Sequence, residues 1–161
     1  MTDSPKILKI GLDYHGVITQ NPESFAKLSR ELIKRGHEVH IITGGPCRVI
    51  LQLLDKMRFP YTHSFAILDY YEGKGEVEHL ADGGFHVDDI LWDSAKANYC
   101  KVKKIDLHID DSPIYQRYFS TPYCLFDGKS NQGMLDGKVS LDFSKPTNDI
   151  VDEIEKIYLN E

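Results

Sequence analysis

Apolar residues recur along this chain with two different periods, and their alternation sets the expected architecture. Ile7 to Asp13 is a short, nearly continuous apolar run that stops on an acid, the pattern of a strand buried on both faces. From Pro22 to Arg35 the period changes. Phe25, Leu28, Leu32 and Ile33 recur at helical spacing, with Asn21 as N-cap, Pro22 at the first helical position and Gly36 as a stop. A second strand, "HEVHIIT", ends at Thr43, and "GGP" leads from it into a helix with apolar Val49, Ile50, Leu53, Leu54 and Met57. "FAILDYY" fits a strand or a helix. Between Glu76 and Asp89, the apolar Val77, Leu80, Phe85 and Val87 surround "DGG", which predicts a small β-hairpin. A helix from about Asp93 to Lys104 feeds "IDLHIDD", a strand that stops on two carboxylates. "YCLFD" reads as the last strand. Pro146 then opens a helix with Ile150, Val151, Ile154, Ile157 and Tyr158 on one face.

Strands alternating with helices predict a three-layer, Rossmann-like α/β fold: a mainly parallel sheet with helices on both faces, plus the small hairpin insertion. In such sheets ligands bind beyond the carboxyl ends of the strands. Asp13 ends the first strand, Thr43 the second, and Asp110 with Asp111 a later one, so all four should meet on one rim. Lys96, near the start of the helix feeding the last of these strands, can reach the same rim. Each residue alone is ordinary, since Asp and Thr at strand ends commonly cap helices or form turns. Their coincidence is what points to a site.

Composition narrows the partners. The chain has 161 residues, 41% of them hydrophobic, enough for one core and a single domain over residues 1–161. A net charge of −6 without a Lys/Arg run argues against nucleic acid as a partner. No apolar run approaches the roughly 18 residues needed to span a bilayer, and "MTDSPK" does not read as a signal peptide, so no membrane partner and a cytoplasmic location are expected. Cys47, Cys100 and Cys124 are odd in number and lack C-x-x-C pairing, as buried inert thiols do.

Three carboxylates brought together repel one another unless a cation holds them, and hard oxygen donors select Mg²⁺. Asp13 can then serve as ligand and nucleophile, since a carboxylate can attack a phosphoryl group and form an aspartyl-phosphate. The transferred group needs its charge neutralised. A lysine ammonium, a Thr hydroxyl and the backbone N–H groups of a turn such as Gly44 and Gly45 can do this.

"GLDYHGVIT", "IITGG", a lysine near Lys96 and "LHIDDS" together resemble, in order, the four signature motifs of the haloacid dehalogenase-like hydrolase superfamily. Most members of that superfamily are Mg²⁺-dependent phosphatases. The resemblance covers the sheet from Lys6 to about Phe119. It implies Asp13 as nucleophile, Thr43 and Lys96 as phosphate-binding residues, Asp13, the His15 backbone carbonyl and Asp111 as Mg²⁺ ligands, and Asp110 in support. It also implies a small phosphorylated metabolite, of nucleotide or sugar phosphate type, as substrate. The interval from Thr19 to Thr43 leaves no room for a large cap domain, so a lid would be the insertion at about residues 65–92.

The departure is His15, where the family's phosphatases usually carry a second Asp as general acid and base. Histidine changes protonation near neutral pH and can take both roles. Two other readings stand beside it: a weak or specialised enzyme whose chemistry is not plain monoester hydrolysis, and a protein that binds phosphate without turnover. A receiver-type phosphoacceptor domain uses similar groups, but there the acid pair comes first in the chain and the phosphorylated Asp later.

Other polar and aromatic residues have plainer readings. Lys101, Lys103 and Lys104 approach the opposite sheet edge, and Lys74 in "EGKGE" is the outsider among candidate phosphate ligands. The seven histidines show no zinc spacing, and His108, alternating with apolar residues, reads as a hydrogen-bonded histidine of the core or surface. His79 and His86 flank the hairpin turn, facing solvent or a substrate. Tyr70, Tyr71, Phe85 and Trp92 either pack the hairpin onto the core or stack on a substrate ring.

Overall fold

The computed structural model describes residues 5–159. Strand β1 (Lys9–Leu12) leads through a tight turn at Tyr14–Ile18 into α1 (Pro22–Lys34), then β2 (Glu38–Thr43), α2 (Cys47–Lys56) and β3 (His63–Ala66). Helix α3 (Ile67–Gly73) and two-residue strands β4 (Glu78–His79) and β5 (Phe85–His86) precede α4 (Asp89–Lys103). There follow β6 (Leu107–Asp110), α5 (Pro113–Gln116), β7 (Tyr123–Asp127), β8 (Gln132–Leu135), β9 (Val139–Asp142) and α6 (Thr147–Leu159). Seven strands form one sheet in the order β3-β2-β1-β6-β7-β8-β9; β4 and β5 pair antiparallel as the expected hairpin.

The first five strands of that order run parallel, as the βα alternation predicts, while β8 pairs antiparallel with β7 and β9 antiparallel with β8. "YCLFD" is therefore not the last strand. The added strands are four residues each and bury only Gly133, Leu135 and Leu141 while the apolar Met134 and Val139 are exposed, so burial does not follow the apolar pattern there. Gly133 is needed here because a Cβ would stand 2.3 Å from the Cys124 sulfur. "FAILDYY" divides, its first two residues ending β3 and the rest opening α3. The stretch 65–92 thus begins inside the main sheet and ends inside α4, so only its middle part is an addition to the βα pattern.

The two faces of the sheet differ. Leu8, Ile10 and Leu12 of the β1 segment pack with Val39, Ile41, Leu107 and Ile109 against α1, α2 and α6 in the main core. The opposite face carries His40, Ile42, His108 and Asp110, covered by α4. Helix α4 begins four residues before the expected start because the Asp88 side chain accepts hydrogen bonds from the Ile90 and Leu91 amides. No helix among the described residues is long and apolar enough to cross a membrane.

Candidate active site

The strand order reverses direction at β1. Chain-consecutive β2 and β3 lie on one side of it, and β6 and β7 on the other, which makes the carboxyl ends of β1 and β6 the topological switch point. Asp13 follows β1 there, its amide donating to the Ile109 carbonyl at 3.0 Å, and Asp110 ends β6. Alternation along β1 puts Gly11 and Asp13 on the α4 face. Gly11 must lack a side chain because His108 fills the space; a Cβ would lie 2.7 Å from its Nδ1.

Lys96 connects the elements. It is almost wholly buried, and its ammonium donates to Asp13 Oδ1 and Asp110 Oδ2 at 2.9 Å each. Asp13 Oδ1 also accepts from the Tyr14 amide at 2.8 Å; Oδ2 takes neither bond. Asp110 is saturated: Oδ2 meets Lys96 and His108 Nε2 at 2.8 Å, and Oδ1 accepts from the Ser112 amide at 3.1 Å. Asp111 is exposed at the same point, and carboxylate oxygens of Asp13, Asp110 and Asp111 lie within 4.8 Å of one another.

The charges do not balance within the protein. Burial opposes charge on Lys96, yet the two carboxylates it bridges hold its ammonium well above the ordinary lysine range. Asp110 is likewise buried, and the His108 hydrogen bond with the Lys96 charge holds it well below the usual carboxylate range. Asp13 goes the other way. Burial, with Asp110 and Asp111 beside it, raises its carboxyl to about 8 despite Lys96. Burial and Asp110 raise Asp111 as well. One ammonium among three carboxylates leaves a deficit that a cation would fill, and the free donors, Asp13 and Asp111, are the hard oxygens Mg²⁺ takes.

Around this cluster opens a cleft of about 440 Å³, lined by Gly44, Gly45, Asp111 and Ser112, by the aromatic Phe85, Trp92 and Tyr115, and by His15, with His15 and Phe85 exposed at its mouth. Gly16 makes the approach of Asp111 possible, having φ +85° and sitting so that a Cβ would lie 2.0 Å from Asp111 Oδ2. His15 is exposed, and its ring meets that of Tyr14 edge-on at a centroid distance of 4.9 Å. Thr43 ends β2 beside the cleft without lining it; its hydroxyl is buried with no hydrogen-bond partner among the described residues.

Lys96 thus touches Asp13 and Asp110, Asp111 lies close to both carboxylates, and His15, Gly44 and Gly45 share the cleft. His79 and His86 are exposed on the hairpin and do not line it; His79 faces Glu72 at 2.7 Å. Lys74 lies over the Tyr70 ring, 4.7 Å from its centroid. Lys101, Lys103 and Lys104 are exposed on or just beyond the last turn of α4. Sequence reasoning missed Ser112 and Tyr115, although Ser-Pro directly after the acid pair is a helix-start signal, and Ser112 does cap α5.

The fold also gathers Glu38, His40 and His63, which sequence spacing did not join. Their geometry is that of a hydrogen-bonded stack. His40 is held by Tyr99 and Glu38 at 2.7 and 2.8 Å, and its ring lies 4.2 Å from that of His63 at only 7°. A metal in the plane of one such ring falls out of the plane of the other.

No family model and no curated protein matches this chain. Among solved structures, a glycosyltransferase from Rickettsia africae ESF-5 aligns over 73% of this chain at 11% identity and a TM-score of 0.42. The chain spans 29% of that protein's length. A likeness of this size carries no argument about fold or function.

Proposed function

We propose that this chain is a Mg²⁺-dependent phosphohydrolase of the haloacid dehalogenase-like type, acting on small phosphomonoesters through a phosphorylated Asp13. The observation that carries the reading is the buried Lys96 bridge between Asp13 and Asp110 at the switch point, with Asp111 within reach of the same carboxylate. The strand order favours it over a receiver-type domain. Counting parallel strands alone, the order is 3-2-1-4-5, whereas the other common doubly wound order is 2-1-3-4-5.

In the proposed reaction the substrate phosphoryl group lies between Asp13 and Gly44–Gly45. Asp13 attacks phosphorus through an oxygen, the bond to the leaving-group oxygen breaks, and a protonated His15 gives that oxygen its proton. His15, now neutral, takes a proton from a water that attacks the phosphoryl-aspartate, releasing phosphate and restoring Asp13. Lys96 keeps the nucleophile oriented and offsets the charge of the transferred group. Mg²⁺ held by Asp13 and Asp111, with the His15 carbonyl, would supply further charge neutralisation. Thr43 does not line the cleft, so in this reading the phosphate contacts fall to Lys96 and the Gly44–Gly45 turn.

A second reading, phosphate binding without turnover, has one observation in its favour: among the described residues no side-chain hydrogen bond orients the His15 imidazole, which is exposed. Phosphate release from a panel of phosphomonoesters with and without Mg²⁺ separates the two. The hydrolase reading expects Mg²⁺-dependent release that Asp13→Asn abolishes. Binding of phosphate with no release from any ester supports the second reading.

A further inference from the structure

The aromatic side chains in and beside the hairpin fall into two groups. Tyr71 belongs to the core, buried and donating its hydroxyl to the Leu91 carbonyl at 3.0 Å, and Tyr70 packs on Phe65. Phe85 and Trp92 stand at the mouth of the cleft. The Trp92 ring rests on Gly44, where a Cβ would be 3.2 Å from its Cζ2, and its Nε1 donates to the Tyr115 hydroxyl at 3.0 Å. Both contacts fix the plane of the indole. Phe85 meets it at a centroid distance of 5.6 Å and 35°, yet stays 43% exposed.

Polar groups line the cleft, among them His15, Ser112 and the Tyr115 hydroxyl, while the indole N–H is spent on Tyr115. The hairpin nevertheless holds a large apolar ring there. Its two strands have two residues each, too few to stand alone, and Val77 and Val87 anchor them to the cluster of Ile67, Tyr71 and Ala95. Resting on the phosphohydrolase reading, we infer that the leaving group of the substrate carries a flat aromatic ring, as in a nucleoside monophosphate or an aryl phosphate, and that Phe85 is its stacking platform. Phe85 and Trp92 lie too close to admit a third ring between them, so the ligand ring lies on the outer face of Phe85.

Trp92 is the sole tryptophan of the chain, so its fluorescence reports this mouth directly. The experiment compares uridine and adenosine 5′-monophosphates and 4-nitrophenyl phosphate with ribose 5-phosphate and glycerol 3-phosphate, in wild type, Phe85→Leu and Phe85→Tyr. Loss of one stacked ring costs roughly 5- to 150-fold. The expected result is a kcat/KM for ring-bearing esters higher by a factor in that range, lost in Phe85→Leu and kept in Phe85→Tyr. Preference for the two nucleotides over 4-nitrophenyl phosphate assigns the ring to a base, and the reverse to an aryl group. Equal hydrolysis of ring-bearing and ring-free esters, or an unchanged preference in Phe85→Leu, overturns the inference while leaving the hydrolase reading intact. If no ester is hydrolysed, that reading fails separately, and fluorescence decides the ring. Quenching of Trp92 by the nucleotides but not by ribose 5-phosphate or inorganic phosphate, lost in Phe85→Leu, supports it; equal or no quenching overturns it.

Discussion

At Gly16 the backbone and the acidic cluster depend on each other. Its φ of +85° costs about 1–2 kcal/mol for a residue with a Cβ, and that Cβ would occupy the place of the Asp111 carboxylate. Gly16→Ala should therefore weaken Mg²⁺ binding about 10- to 100-fold by calorimetry while the chain still folds; unchanged affinity would free Asp111 from the ligand role. At His15, Ala should slow phosphate release roughly 10²- to 10⁴-fold, and Asp should restore activity on simple phosphomonoesters. Full activity in His15→Ala makes the residue a spacer. Asp13 has a cost visible without metal. A carboxyl raised from 3.8 to about 8 keeps in the folded state a proton that the unfolded chain releases, so metal-free stability falls as pH rises across that interval and stays low above it. In EDTA at pH 8, Asp13→Asn should be more stable than wild type, by on the order of a few kcal/mol, and melt at a higher temperature, with the difference vanishing near pH 4. Equal melting of the two proteins at pH 8 contradicts this charge balance.

Among the elements, α6 is tied to the sheet by a clamp that no local pattern reveals. Arg35 donates to Glu31 at 3.0 Å, to Asp152 at 2.7 Å and to Glu155 at 2.5 Å. His37 accepts the Leu8 amide on Nδ1 and gives its Nε2 proton to Glu155 at 2.8 Å. Burial works against the Glu155 charge, yet the His37 and Arg35 bonds lower its pKa below the ordinary 4.5. The sign follows: this stabilisation is complete above that value and is lost as pH falls through the lower folded-state pKa. Glu155→Gln should cost about 1–2 kcal/mol at pH 7 in urea unfolding and shrink the acid-induced loss below pH 4.5; identical curves would show the clamp to be inert. The helix α1 itself was legible, because Pro22 opens it and Gly36, at φ +90°, closes it. Asn21 holds the N-cap position without making the side-chain bond that its identity predicts. Strands β8 and β9 escaped because four-residue antiparallel strands at the sheet margin bury only one or two side chains each.

Across the molecule, the order of strands converts three separated segments into one cluster. Asp13, Lys96, Asp110 and Asp111 were legible because each stands next to an apolar run whose carboxyl end, or feeding helix, points to one rim of a parallel sheet. The polar underside was not. His108 and Asp110 sit on a strand whose other face is pure core, and only the placement of α4 over that face shows that Lys96 and His108 share the Asp110 carboxylate. The meeting of Phe85 with Trp92 likewise depends on how the hairpin folds back onto α4, which apolar spacing does not encode. The central claim is that Asp13 is the nucleophile, and a single-turnover reaction with Mg²⁺ and a hydrolysable ester, quenched in acid and mapped by peptide mass spectrometry, tests it most directly. The account predicts a phosphoryl group on the peptide containing Asp13 in wild type and its absence, with no phosphate release, in Asp13→Asn; release at the wild-type rate by Asp13→Asn would contradict it.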